Sequence, residues 1–183
     1  MSAAVEVFEQ AMEWLRASYA RHRFFFERDI VWTVQNYLNN EIQRRGSGYR
    51  VFNDFPMLPG SHRALSTDLA ILSHDVDYPV EVAVEFKYEP SHRRKGQNIW
   101  HTKFPVVFWA EGVVKDTERI REFVRQGKAR MAYAIFIDEG GYCLWRPRPE
   151  GSLWKRWEGA GPGGETVHVL WTRVISDSGV VEA

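Results

Sequence analysis

Two neighbouring apolar segments that carry charged residues constrain the fold of this chain most. The segment 66–72 reads SerThrAspLeuAlaIleLeu, and the segment 82–88 reads ValAlaValGluPheLysTyr. Both have the composition of strands, and the turn-forming residues between them predict that the strands are antiparallel neighbours. An ionised side chain in an apolar strand is costly unless it is paired or binds a cation. Asp68, Glu85 and Lys87 therefore require an explanation.

Two explanations of the charged strand residues are open. Side chains alternate along a strand, so Glu85 and Lys87 share one face, and the even-numbered residues from Val82 to Tyr88 form a second face that we expect to be buried. The ordinary explanation is a cross-strand ion pair on a solvated face. A functional site is the alternative. It gains weight because Glu85-x-Lys87 is the only acidic-x-Lys in the chain and Asp68 lies 17 positions upstream.

Composition describes an ordinary globular chain. Its 183 residues are 44% hydrophobic and 26% charged, which predicts one domain over 1–183. The 24 basic and 24 acidic residues give no net charge, so any site for a polyanion must be local. The start lacks the pattern of a signal peptide and no apolar run approaches the ~20 residues that span a bilayer, which predicts a cytoplasmic protein with no membrane partner. Cys143 is the only cysteine, which excludes an intrachain disulfide.

Hydrophobic periodicity predicts the order of the main elements. Two helices are expected first, then a meander of three strands, then a helix that begins with Asp116 as its N-cap, and then a strand buried on both faces. Their expected ranges are 3–20, 25–45, 49–55, 64–72, 79–88, 116–127 and 131–138. The segment 89–114 is not assigned, because its apolar part, around Phe104 to Ala110, suits a strand or a buried turn equally well.

The remaining C-terminal part has a different composition. Gly140 and Gly141 predict a hairpin into the segment that follows. From 147 to 183 the chain is rich in Trp and Gly, with a loop at 159–164 and a last strand from Val167. Its aromatic residues favour core or interface packing over base stacking, and an interface would allow a homodimer or a partner subunit. The residues concerned are Trp145, Trp154, Trp157 and Trp171.

Glu27 stands out on the second predicted helix. At ~100° per residue, it falls on the same line as Val31, Val34 and Leu38, whereas Asp29 points to the other side. Glu27 is therefore expected to face the core at the start of the helix. The alternative is that it only favours the positive end of the helix dipole.

The order helix, three strands, helix, strand, with Glu27, Asp68 and Glu85-x-Lys87 at these positions, resembles the PD-(D/E)xK nuclease superfamily over roughly residues 25–138. The residue before Asp68 is Thr67, where the family often has proline. The resemblance implies an α/β fold with a restriction endonuclease-like αβββαβ core. A central mixed sheet would be flanked by helices, with an extra N-terminal helix and C-terminal β elements.

The resemblance also implies a metal site. Asp68 and Glu85 would hold Mg²⁺ or Mn²⁺, with the Phe86 carbonyl and Glu27 completing the protein ligands. Hard cations with oxygen ligands suit phosphodiester hydrolysis. Lys87 would polarise the attacking water, and a desolvated lysine, unlike an arginine, is able to act as a base.

The implied partner is nucleic acid, with DNA favoured. The loop after the Glu85 strand carries candidates for phosphate contacts, namely Arg93, Arg94, Lys95 and Gln97. Two other interpretations remain. One is a catalytically inactive module of the same fold that binds nucleic acid or a protein, and the other is an unrelated α/β protein with an ion-pair lattice.

Overall fold

The structure, a computed structural model, describes residues 2–60, 64–73, 80–96 and 107–176, with the side chains of residues 95 and 96 excepted. Four α-helices and six strands follow one another along these ranges, and a π-helical segment at Trp109–Val114 leads directly into the fourth helix. The helices are α1 (Ala3–Ser18), α2 (Glu27–Arg45), α3 (His92–Gly96) and α4 (Lys115–Arg125). The strands are β1 (Arg50–Leu58), β2 (Leu65–Leu72), β3 (Val80–Glu89), β4 (Ala129–Asp138), β5 (Ser152–Trp157) and β6 (Val167–Ile175).

The six strands form one mixed sheet in the order β1-β2-β3-β4-β6-β5. The first three strands are the predicted antiparallel meander, with Leu69 opposite Val84. β3 and β4 run parallel, with Lys87 opposite Phe136, and α4 lies in the crossover between them. β6 then pairs antiparallel with β4. The mixed α/β sheet flanked by helices is thus confirmed.

Helices cover both faces of the sheet. The even-numbered residues of β3 from Val82 to Tyr88 are buried against α1 and α2, together with the odd-numbered residues of β4 from Met131 to Ile137. The opposite face carries small residues, among them Ala83, Ala132 and Ala134, which pack against Ile120 and Phe123 of α4. Small side chains let a helix approach a sheet closely. The prediction that β4 is buried on both faces is therefore confirmed, as is the apolar face of β3.

The C-terminal part differs from the prediction. The chain after Gly141 does not form a hairpin with β4, because residues 142–146 are turns whose backbone is held by Asp138. Asp138 accepts hydrogen bonds from the backbone N–H groups of Tyr142 and Cys143 at 3.1 and 2.7 Å. The additional strand is β5, which pairs with β6 at the edge of the sheet. Sequence reasoning missed β5 because it is a short edge strand without strict alternation.

Three of the four C-terminal tryptophans pack inside the molecule. Trp157 is buried against Tyr19, Trp154 packs on Phe136, and Trp171 lies against Tyr133. Trp145 is exposed beside Arg146. No helix within the described ranges is long and apolar enough to cross a membrane.

Candidate functional site

Four elements bring six charged side chains together at one end of β2 and β3. We call this group the charged cluster. It consists of Glu27, Asp68, Glu85, Lys87, Asp116 and Arg119. Asp68 and Glu85 are placed one position beyond the registered pair Leu69 and Val84, so the two carboxylates are neighbours across adjacent strands. The structure thus brings together all four residues that the sequence singled out and adds two more.

Lys87 lies at the centre of the cluster. Its Nζ is 3.2 Å from the Oε2 of Glu27 and 3.0 Å from the Oδ2 of Asp116. It also donates a hydrogen bond of 2.9 Å to the carbonyl oxygen of Phe86. The ammonium group therefore contacts two of the ligands predicted for a metal, namely Glu27 and the Phe86 carbonyl.

Asp68 and Glu85 are held differently. Asp68 Oδ2 accepts a hydrogen bond of 2.7 Å from the backbone N–H of Phe86, which fixes its carboxylate against β3. Glu85 is 2% exposed, and its Oε2 is 3.0 Å from a guanidinium nitrogen of Arg119. Its Oε1 is buried and has no hydrogen-bond partner among the described residues. A buried carboxylate oxygen without a donor is costly, so Glu85 has capacity for one more cation or proton.

Glu27 is free to join the cluster because another residue caps its helix. Asp29 accepts hydrogen bonds of 2.8 Å from the backbone N–H groups of Phe25 and Phe26 at the start of α2. Asp29 thus fixes the two residues before α2 to the first turn of the helix, while the Glu27 carboxylate reaches Lys87. The helix-dipole interpretation of Glu27 is therefore the weaker one.

Burial and mutual repulsion shift the pKa values of the carboxyl groups. Burial raises the pKa of Glu27 to about 7, although the Lys87 charge opposes the shift. Burial also raises the pKa of Asp68, against the opposing hydrogen bond from Phe86. The pKa of Glu85 is raised well above its ordinary value by burial and by the charges of Asp68 and Asp116. Four carboxylates face two cations, so the cluster carries excess negative potential.

Lys87 behaves in the opposite way from a general base. Burial alone would lower its pKa, but the charges of Glu27, Asp116 and Asp68 outweigh burial and raise the pKa above the ordinary value. The ammonium therefore stays protonated at neutral pH. In this arrangement the three neighbouring carboxylates favour the ammonium form, so Lys87 is better suited to donate hydrogen bonds than to act as a base.

The charged cluster opens onto a cleft of about 590 Å³. Glu27, Asp68 and Lys87 line this cleft. Glu85 instead lines a cavity of about 10 Å³ together with Lys87 and Asp116, which is space for about one water molecule. Lys87 lines both spaces, so it links the open cleft to the buried carboxylates.

The predicted phosphate-binding loop is only partly as expected. The structure corrects the predicted phosphate contact of Arg94. Its side chain is 4% exposed, and its Nε contacts Glu139 Oε1 at 2.5 Å. It is therefore not offered to a phosphate. Arg93 is exposed, and its guanidinium lies against Gly163. Gln97 and the side chain of Lys95 lie outside the described residues.

The donor set of the cluster suits a hard divalent cation in type and in charge. Carboxylate oxygens are the ligands that Mg²⁺ and Mn²⁺ prefer, and a divalent charge would balance the excess of two carboxylates over the two cations. The unpartnered Oε1 of Glu85 supports this fit. In the described part of the chain, however, no three such side chains converge closely enough to hold an ion. Lys87 and Arg119 form ion pairs with three of the four carboxylates instead.

Sequence reasoning missed three residues of the site. Asp116 is not the predicted N-cap, because helical backbone already begins upstream of it, and its carboxylate contacts Lys87. Asp116 and Arg119 precede Ile120 and Phe123 by four positions, so a helical projection would have placed both on the apolar side of α4. Asp54 lines the cleft with a left-handed φ of 47°, a strained conformation without a sequence signal.

Comparisons of the chain with protein-family models, with curated proteins and with solved structures found no match.

Proposed function

We propose that this chain hydrolyses phosphodiester bonds in nucleic acid with Mg²⁺ or Mn²⁺ bound at the charged cluster. The observation that carries the proposal is the convergence of Glu27, Asp68 and Lys87 on one open cleft, with Glu85 directly behind them. A further support is the order of elements around the site, in which an antiparallel meander is followed by a helical crossover to a parallel strand. We propose on this basis a restriction endonuclease-like core.

In this proposal the metal would be held by Asp68 and Glu85, with Glu27 and the carbonyl oxygen of Phe86 as further ligands. Once bound, it would act as a Lewis acid on the phosphate oxygens. Lys87 now contacts Glu27 and the Phe86 carbonyl, and Arg119 contacts Glu85, so these two side chains would have to release the three ligands for a metal to be held there.

Lys87 supplies a fixed positive charge in this mechanism. Its raised pKa keeps the ammonium protonated, so it donates hydrogen bonds to the attacking water or to a phosphate oxygen and stabilises negative charge that develops there. Asp116, which lines the small cavity and not the cleft, holds the Lys87 ammonium at 3.0 Å. Glu27 lines the cleft beside Lys87 and, as a ligand of the metal, would act in its ionised form.

Cleavage assays test the proposal directly. Purified protein is incubated with Mg²⁺ or Mn²⁺ and with single-stranded, duplex and branched DNA, with EDTA as the metal-free control. We expect metal-dependent cleavage that Lys87→Met slows by about a hundredfold to a thousandfold. Lys128→Met should leave it unchanged, since Lys128 is exposed and lines neither cavity. Absence of cleavage on every substrate, or full activity of Lys87→Met, would contradict the proposal.

The second candidate is a module that binds nucleic acid or a protein without cutting it. It is favoured by the zero net charge of the chain. It is also favoured by the ion pairs of Lys87 and Arg119 with carboxylates that a metal would need as ligands. Mn²⁺ titration separates the two candidates. An active enzyme should have a Mn²⁺ site that Asp68→Asn abolishes, and an inactive module should have none.

A further inference from the structure

Exposed aromatic side chains surround the charged cluster at the cleft. Trp32 on the solvent side of α2 is 52% exposed, and Phe108, just before the π-helical segment, is 66% exposed. Phe26, before α2, is 39% exposed. All three line the same cleft as Glu27, Asp68 and Lys87. Three large aromatic side chains that stay exposed on the lining of one cleft are a candidate contact surface for a ligand.

The charges of the cleft argue against a ligand held mainly through its phosphates. Among the described residues that line it, only Arg28 and Lys87 are cationic. The acidic lining residues number four, namely Glu27, Asp54, Asp68 and Glu111. Proteins that bind duplex backbone rely on clustered Lys and Arg. This cleft has the opposite balance, so its affinity for nucleic acid must come from another contact.

We propose that the cleft binds an unpaired nucleotide segment whose bases stack on Trp32 and Phe108. This inference rests on the proposed function, because it names the substrate class of the same site. Every base has a π-face that stacks on an aromatic ring, but a base inside a duplex has both faces covered. The aromatic residues therefore select a single strand, a flap or a gap over a continuous duplex, and bring its backbone to Lys87.

Binding is tested by fluorescence anisotropy with a fluorescein-labelled oligothymidylate, an oligouridylate of equal length and a blunt mixed-sequence duplex. Each is measured in EDTA and in Ca²⁺, a hard oxygen-seeking cation. We expect either single strand to bind at least about tenfold more tightly than the duplex. The two single strands distinguish DNA from RNA as the ligand.

Surface variants locate the contact. Trp32→Ala and Phe108→Ala should each weaken binding of the single strand by about tenfold, because each removes one stacking platform, whereas Trp32→Tyr should retain most of it. Trp145→Ala is the matched control, since Trp145 is 74% exposed and does not line the cleft. Equal binding of duplex and single strand, or unchanged binding by both alanine variants, would overturn the inference. So would the absence of oligonucleotide binding.

Cleavage in Mn²⁺ is read separately, so that the two proposals fail in different ways. Stacking-dependent binding of single strands without cleavage would support the ligand class and contradict hydrolysis. Cleavage of duplex and single strands at equal rates, unaffected by Trp32→Ala, would support hydrolysis and overturn the selection of unpaired nucleotides.

Discussion

Two buried ionic groups in this molecule differ in their balance of charge and in their access to solvent. The first is centred on Glu139, whose Oε1 accepts hydrogen bonds from Tyr19 at 2.8 Å and Arg94 at 2.5 Å, and whose Oε2 accepts one from the backbone N–H of Ser91 at 3.0 Å. We call it the Glu139 group. One carboxylate meets one guanidinium, and both side chains are almost completely buried. The charged cluster instead has four carboxylates, two cations and an opening to the cleft.

The difference separates a structural ion pair from a candidate site. In the Glu139 group both carboxylate oxygens have donors, and Arg94 also donates to the carbonyl of His22 and lies over the rings of Tyr19 and Phe24. Such a group stabilises the packing of α3 and β4. One guanidinium nitrogen of Arg94 has no hydrogen-bond partner among the described residues, but neither oxygen of Glu139 is left free for a cation. The charged cluster keeps a carboxylate oxygen of Glu85 without a donor. Excess charge and accessibility, rather than burial of charge, therefore mark the site.

The largest expected effect is the loss of protein stability when the Glu139 group is disrupted. Arg94→Met leaves Glu139 buried without its cation, so the free energy of unfolding should fall by about 3–5 kcal/mol. Urea denaturation monitored by circular dichroism measures it. Arg93→Met is the control, because Arg93 is exposed, and it should change stability little. An unchanged midpoint for Arg94→Met would remove the contrast between the two groups.

Lys87→Met should affect activity rather than folding. If the proposed hydrolysis holds, the rate of cleavage should fall by about a hundredfold to a thousandfold, as expected when one donor that stabilises developing charge is lost. The melting temperature should change less than for Arg94→Met, because Lys87 is partly accessible and its partner Glu27, with a pKa of about 7, is able to take up a proton. Single-turnover cleavage and thermal melts on the same preparations test this. A large loss of stability would place Lys87 with the structural ion pairs.

Arg119→Met should make stability depend on metal. The substitution leaves Glu85 without its cation, so in EDTA at pH 8 the free energy of unfolding should fall by about 2 kcal/mol. Mn²⁺ should restore it, and by more than it stabilises the wild-type protein, because the ion replaces the lost charge. Thermal melts with and without Mn²⁺ measure both quantities. Equal Mn²⁺ stabilisation of the two proteins would show that Glu85 is not a ligand.

The smallest expected effect concerns the pH dependence of stability. Glu27 has a pKa of about 7 in the fold against an ordinary value of 4.5. The folded state holds more protons between these two values, so stability should fall as pH rises through this range and level off above it. Glu27→Gln removes this titration. The difference in free energy of unfolding between the variant and the wild type should therefore be more favourable to the variant at pH 8 than at pH 5, by about 1 kcal/mol in EDTA. Denaturation curves at several pH values test it, and a slope equal to that of wild type would contradict the shift.

The fold around the site was largely predictable because its signals are local. The alternation in β3 and the apolar run of β4 identify strands, and the line from Glu27 to Leu38 identifies the buried side of α2. Asp116 and Arg119 were not predicted as site residues, because Asp116 was interpreted as the N-cap of a helix. A helical projection would have placed both residues on the apolar side of that helix. The partner of Glu85 is 34 positions away on another element, and only tertiary packing determines it. The same holds for the pairing of β5 with β6.

The parallel pairing of β3 with β4 also fixes when the charged cluster is assembled. The meander closes through short connections, whereas β4 reaches β3 only after the crossover from Glu89 to Ala129, and a longer loop costs more entropy to close. We therefore expect β1, β2 and β3 to associate first. Until α4 docks, Asp68 and Glu85 are side by side without Arg119. We thus expect the cluster to be completed only after the meander has formed, and a chain stalled before α4 docks would expose two adjacent carboxylates on a half-built sheet.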